Sequence, residues 1–165
     1  MKKSILTLVA AVTLAACQST SDMSQDSNSA SANNDAYTAM EMTPRELLKS
    51  KWGDLLRFPA RYPEQAAMRS VNGCATVEYV ITPENEVTHI QIVAESARYF
   101  GQAAEDVIQN WAWQQLPQGI ISEPVKTQTR FDFCVESDEQ PCSRVTQTFT
   151  CPGEDIIQSI GRRVM

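Results

Sequence analysis

The feature that most restricts the fold is a pair of period-two runs separated by four turn residues. Ala75, Val77, Tyr79 and Ile81 alternate with Cys74, Thr76, Glu78 and Val80, the pattern of a half-buried strand. Pro83, Glu84, Asn85 and Glu86 follow, and Asn85 suits a turn because asparagine tolerates a left-handed backbone. Val87, His89 or Ile90, Ile92 and Val93 then make a return strand, so this stretch predicts a hairpin. Phe100, Ala104, Val107, Ile108 and Trp111 recur at helical spacing, which predicts an amphipathic helix from about 97 to 115 covering one sheet face. Thr127, Thr129, Phe131, Phe133 and Val135 alternate again and predict a third strand. Upstream, Arg61, Tyr62, Pro63 and Glu64 open a short helical stretch that runs through Arg69 and ends at Asn72 and Gly73.

The flanks have other characters. Thr43, Pro44 and Glu46 have the form of a capping box with proline at the first helical position. Leu47, Leu48, Trp52, Leu55 and Leu56 recur behind them, predicting an extra helix over 44–57 that Pro59 stops. Residues 18–43 hold six serines, three asparagines, three aspartates and one aromatic residue, Tyr37. Such a segment cannot bury enough apolar surface to offset its chain entropy, so a disordered tether is expected. Before it, Lys2 and Lys3 precede an apolar run from Ile5 to Ala16 that is too short to span a bilayer and has the build of a secretory signal. Leu14, Ala15, Ala16 and Cys17 resemble the lipobox of bacterial lipoproteins. That resemblance implies cleavage before Cys17, acylation of its sulfur and, with Gln18 rather than aspartate next, transfer to the outer membrane facing the periplasm. Two or more acyl chains suffice for stable anchoring.

The central elements also resemble a known family. Tyr62 and Pro63, Gly73 before the alternating strand, the turn from Pro83 to Glu86 followed by Val87, and Ser96 at the strand end are similar to the C-terminal domain of TonB energy transducers. So are Ala104, Val107, Ile108, Trp111 and Trp113 in the helix and Phe131 and Phe133 in the last strand. The likeness spans residues 58–136 and departs from the family at Asn85, at Gln115 and in its additional cysteines. It implies an α+β fold: a three-stranded antiparallel sheet with helices packed on one face, here stapled by disulfides. Trp111 is expected in the core and Trp113 at a covered edge.

With Cys17 lipidated, Cys74, Cys134, Cys142 and Cys151 remain, an even number in an exported protein. Three pairings are open by count. An all-antiparallel sheet places the third strand beside the first, in the order second, first, third. Cys74 opens the first strand and Cys134 closes the third on the face away from the helices. The expected bridges are Cys74 to Cys134 and Cys142 to Cys151, the latter clipping a hairpin-like tail over 137–165 through Val145 and Phe149. After Cys151, Pro152 to Asp155 would start a terminal helix with Ile156, Ile157, Ile160 and Val164 on one side and Arg162 and Arg163 at its end.

No catalytic, cofactor or metal-binding set is expected. His89 is the single histidine, no cysteines are spaced C-x-x-C, and the acidic pairs Glu84 with Glu86, Glu105 with Asp106 and Asp138 with Glu139 read as solvated surface. A net charge of −6, or −8 once Lys2 and Lys3 are lost, disfavours nucleic acid as a partner. The expected function is a non-enzymatic protein-binding module on a lipid anchor, linked to envelope transport. The resemblance implies that an extended segment of an envelope protein, such as an outer-membrane transport receptor, adds to the free edge of the third strand. The residues concerned would be Thr127, Gln128, Thr129, Arg130, Phe131, Asp132 and Phe133. True energy transduction, a structural lipoprotein role and a homodimer are the other expectations, and a tail folded back on this edge would remove the open-edge scheme.

Overall fold

The computed structural model describes residues 37–136, 141–142 and 150–162. Expectations for 1–17, for 18–36, for Asp138 and Glu139, for Val145 and Phe149 and for Arg163 and Val164 lie outside the described residues. Two 3-10 turns, Glu46–Leu48 and Ser50–Trp52, lead into a short helix α1 (Glu64–Met68). The hairpin strands β1 (Gly73–Ile81) and β2 (Val87–Glu95), helix α2 (Arg98–Asn110), a third 3-10 turn (Trp113–Gln115), and strands β3 (Val125–Glu136) and β4 (Ile156–Arg162) follow.

The sheet has four strands in the order β2-β1-β3-β4, with β1 antiparallel to both neighbours and β4 parallel to β3. The expected three-stranded antiparallel sheet is therefore corrected to a four-stranded mixed one. The added strand comes from the stretch expected as the terminal helix. Ile156, Ile157 and Ile160 fit a helical spacing, but β-branched residues also suit a strand. The unpaired edge of β3 supplies hydrogen-bond partners that an isolated short helix lacks.

The expected helix over 44–57 is corrected as well. Arg45 adopts a left-handed backbone (φ 58°) and Lys49 is extended, so only two separate turns form. Glu46 does not close a capping box. Its buried carboxylate accepts from the Trp52 indole at 3.0 Å and pairs with Lys49 at 2.5 Å and Lys51 at 2.7 Å. Burial pushes the Glu46 carboxyl up, but these three donors outweigh it and hold the group below its ordinary value. Leu47, Trp52 and Leu55 reach the core, whereas Leu48 and Leu56 stay exposed.

Helix α2 covers the odd-numbered face of β1. Phe100, Ala104, Val107 and Ile108 pack on Ala75, Val77, Tyr79 and Ile81 and on Phe131 and Phe133 of β3. Gly73 allows a close approach, since a Cβ there would overlap the Phe100 ring. Ser96 closes this end of the sheet, its backbone amide donating to the Cys74 carbonyl at 2.9 Å and its Oγ accepting from the Cys74 amide at 2.9 Å.

The departures at Asn85 and Gln115 have local explanations. Asn85 is left-handed (φ 60°), and its side-chain amide donates to the Leu116 and Pro117 carbonyls at 3.1 and 3.2 Å, tying the turn to the loop after α2. The Gln115 amide donates to Ala112 at 3.0 Å, a bond proline could not make. Helix α2 ends at Asn110, so Trp111 and Trp113 lie beyond the α-helix and both become core residues, which corrects the covered-edge expectation for Trp113. Their indoles donate to Phe58 and Ile108 at 3.0 and 2.7 Å.

Candidate functional site

The expected site on β3 is not an edge. Near its N-terminal end the chain at Met42 and Thr43 lies alongside: Met42 bridges Lys126, and the Thr43 amide donates to the Lys126 carbonyl at 2.8 Å. Its C-terminal half pairs with β4 from Arg130 opposite Ile156 to Glu136 opposite Arg162, without a register shift. Residues 37–43, expected as the end of a loose tether, thus belong in part to the sheet.

Of the seven expected residues, all but Gln128 are buried or bonded within the chain. Thr127, Thr129, Phe131 and Phe133 face the helices and are buried. Thr127 donates to the Thr43 carbonyl at 2.9 Å. On the other face, Gln128 and Arg130 lie opposite Glu78 and Thr76 of β1. The Arg130 guanidinium grips Asp132 at 2.6 and 3.1 Å and donates to the Cys151 carbonyl at 2.9 Å. An incoming strand therefore finds β3 already paired at Lys126 and from Arg130 to Glu136.

A buried polar cluster holds this cover down. Asp155, only 2% exposed, accepts from the Arg57 guanidinium through both oxygens at 2.9 and 2.7 Å and from the Thr129 hydroxyl at 2.8 Å. With Thr129 donating to Asp155, the Tyr79 hydroxyl 2.8 Å away is left to donate to Thr129. Burial raises the Tyr79 phenol well above its ordinary value, so it remains a donor. Arg57 also lies over the Trp111 ring at 5.8 Å. Sequence inspection did not single out Arg57 or Asp155: they stand 98 positions apart, and no local spacing marks such a pair.

The disulfides join Cys74 to Cys151 and Cys134 to Cys142, which corrects both expected pairs. Cys74 and Cys134 do share the face away from α2, but the register places Asp132, not Cys134, opposite Cys74. Diagonal neighbours two positions along lie about 7–8 Å apart, beyond ordinary disulfide reach. The Cys74 bridge instead fastens the start of the tail across the sheet, where Thr76 donates to the Pro152 carbonyl.

Among the described residues the free edges are β2 and β4. The β1–β2 ladder shifts register twice and His89 has a left-handed backbone (φ 50°), with the Tyr37 ring 4.8 Å from the imidazole. β4 is regular and carries exposed Ile156 and Ile160. Between the 58–68 segment and α2, a groove of about 1480 Å3 ends at residues 160–162 of β4. Phe58, Tyr62, Met68 and Tyr99 supply its apolar walls, and Arg61 and Asp106 supply charge. Among the described residues no group of three or more His, Cys, Asp or Glu side chains could hold a metal. Glu84, Glu86 and Asp106 are exposed.

Residues 59–135 match the family model of the Gram-negative bacterial TonB protein C-terminal, and residues 1–18 match that of the prokaryotic membrane lipoprotein lipid attachment site. This is a TonB-like domain on a lipoprotein. Among solved structures, the TonB C-terminal domain of Helicobacter pylori is 26% identical, with coverage of 44% of this chain and 77% of that one and a TM-score of 0.38. The Pseudomonas aeruginosa TonB C-terminal domain is 21% identical, with coverage of 51% and 87% and a TM-score of 0.42. No curated protein sequence matches the chain. The parts of the lipoprotein that cover β3, residues 42–43 and 156–162, both fall outside the TonB-matching segment.

Proposed function

We propose that this protein is an outer-membrane lipoprotein facing the periplasm, whose TonB-like domain is a non-enzymatic protein-binding module accessory to envelope transport. The observation that carries this reading is the occupied outer side of β3. If TonB-like domains take up an extended receptor segment there, as the resemblance implies, this chain has filled the position with its own residues. That favours an accessory or bracing role over direct energy transduction, which requires the receptor segment to gain access. The partner is an envelope protein, and the groove between the 58–68 segment and α2 is the accessible concave surface for it.

In-cell photocrosslinking tests the reading. A crosslinking residue at Phe58 or Met68, both exposed at the groove, is expected to trap an envelope protein. The same group at Thr127, buried on β3, is expected to trap nothing. Recovery of proton-driven motor components, or of a receptor segment on β3, would overturn the accessory role in favour of transduction.

A further inference from the structure

We infer that the flank at residues 45–57 rests on the membrane that holds this protein's own lipid anchor, with Leu48 and Leu56 entering the lipid interface. Three observations lead there. The first is how the flank divides its leucines. The adjacent pairs Leu47–Leu48 and Leu55–Leu56 each send their first member into the core, while Leu48 stays 47% and Leu56 64% exposed. A continuous helix would set Leu48 on one face with Trp52 and Leu55. The left-handed Arg45 and the extended Lys49 break that helix into two 3-10 turns and leave Leu48 outside. One exposed leucine is ordinary surface, so the pair gains meaning only from what surrounds it.

The second observation is charge. Glu46, 1% exposed, takes both Lys49 and Lys51, whose side chains remain 52% and 36% exposed. Two ammonium groups on one hidden carboxylate leave positive charge at the surface, where lysine stems lie along apolar groups and their heads reach lipid phosphates. Arg45 meets Glu154 at 3.7 Å between side chains 63% and 66% exposed, a contact weak enough to be exchanged for a headgroup. Asp54 is the flank's one exposed acid. Residues 45–57 hold four basic and two acidic residues, whereas the whole chain carries −6, so this flank reverses the prevailing sign. Exposed apolar groups beside cations are what an interfacial contact requires.

The third observation is reach. The lipid-attachment motif covers residues 1–18, and Tyr37, the first described residue, stands 20 positions after Cys17. Even fully extended, that link spans no more than about 70 Å. Two leucines would hold a free protein poorly, but the anchor keeps them at high effective concentration next to the bilayer. No helix among the described residues is long and apolar enough to cross a membrane, so the contact is interfacial. Docked in this way, the groove starts at the bilayer and leads away along α2: Phe58, two residues past Leu56, accepts from Trp111 beyond the end of α2, and Tyr62 meets Phe100 near its start. A partner rooted in the same membrane would find it there. The docking itself does not depend on which envelope protein is bound.

The test uses the full chain acylated at Cys17 in vesicles of phosphatidylethanolamine and phosphatidylglycerol. An environment-sensitive fluorescent residue replaces Leu56, Leu48 or, for comparison, exposed Val93 on β2. Quenching by lipids brominated along the acyl chain is expected to be at least threefold stronger at Leu56 and Leu48 than at Val93. With the reporter at Leu48, Leu56→Glu should lower quenching to the Val93 level, and Leu48→Glu with the reporter at Leu56 is the reciprocal variant. Thermal unfolding in detergent should be unchanged by either, which separates lost docking from misfolding. In cells, a photocrosslinking residue at Leu56 should yield lipid adducts. Quenching at both leucines no stronger than at Val93, indifference to both glutamate variants, or a protein adduct at Leu56 in place of lipid would each overturn the docking.

Discussion

The TonB-matching segment and the two flanks around it are built by different means. Residues 59–135 cohere through an apolar core in which Phe100, Phe131, Phe133, Trp111 and Trp113 pack against the odd-numbered face of β1. The flanks contribute Leu47, Trp52 and Leu55 to that core, but they are fixed by discrete polar and covalent ties: Arg57 to Asp155, Glu46 to its two lysines and Trp52, and Cys74 to Cys151. Distributed packing tolerates the loss of one contact better than a small set of ties does. The flanks should therefore be removable in steps that leave the central segment folded.

The largest effect is expected where the two parts are covalently joined. Replacing Cys74 and Cys151 together with alanine opens a closure with a sequence separation of 77 and should cost about 4.5 kcal/mol by the chain-entropy relation. Denaturant unfolding would measure it. Losing Cys134–Cys142, separation 8, should cost about 2.5 kcal/mol, and the difference weakens the comparison if the two losses are equal.

Phe131→Ala, wholly inside the central core, should cost about 4 kcal/mol in a single cooperative transition, with all four strands losing hydrogen-exchange protection together. Arg57→Ala leaves the Asp155 carboxylate buried without its cation and should cost about 3 kcal/mol. Here the expected signature is selective: amides of β4 lose protection first while β1 keeps its own. Uniform loss would mean that flank and core are one unit.

Gly161→Ala is a smaller probe of the same boundary. A Cβ at residue 161 would fall inside the Tyr62 ring, so either the ring or β4 must shift, at about 1–2 kcal/mol. Chemical-shift changes should centre on Tyr62 and β4. The smallest effect is acid sensitivity of the N-terminal flank. Because the folded Glu46 carboxyl lies below its ordinary value of 4.5, its contribution is present above that pH and is lost as pH falls through the folded value. Fluorescence of Trp52 below pH 4.5 should report this loss, and Glu46→Gln should flatten the profile.

Much of the central segment was legible because its signals are local and repeated. β1, β2, β3 and α2 fall where the two periods place them, and the left-handed Asn85 follows from turn chemistry alone. The flanks misled for a definite reason. Thr43, Pro44 and Glu46 are correct residues for a helix start, but Glu46 gains more from Lys49, Lys51 and the Trp52 indole than from a cap. The isoleucines after Asp155 fit a helix stripe and a strand equally, and the choice was made by the edge of β3. The disulfides were mispaired because alternation gives the face of a cysteine and not its register partner.

The candidate site divides the same way. That β3 is a strand with buried Phe131 and Phe133 could be read from the order of residues, whereas whether its outer side is open could not. That depends on residues 42–43 and 156–162 arriving from opposite ends of the chain, and on Arg57 meeting Asp155. By itself the sequence determined the elements whose periodicity is written within a dozen residues, together with the lipid-attachment motif. Tertiary structure decided which edge is covered, which cysteines meet and which strand remains open, because each is a meeting of residues far apart in the chain.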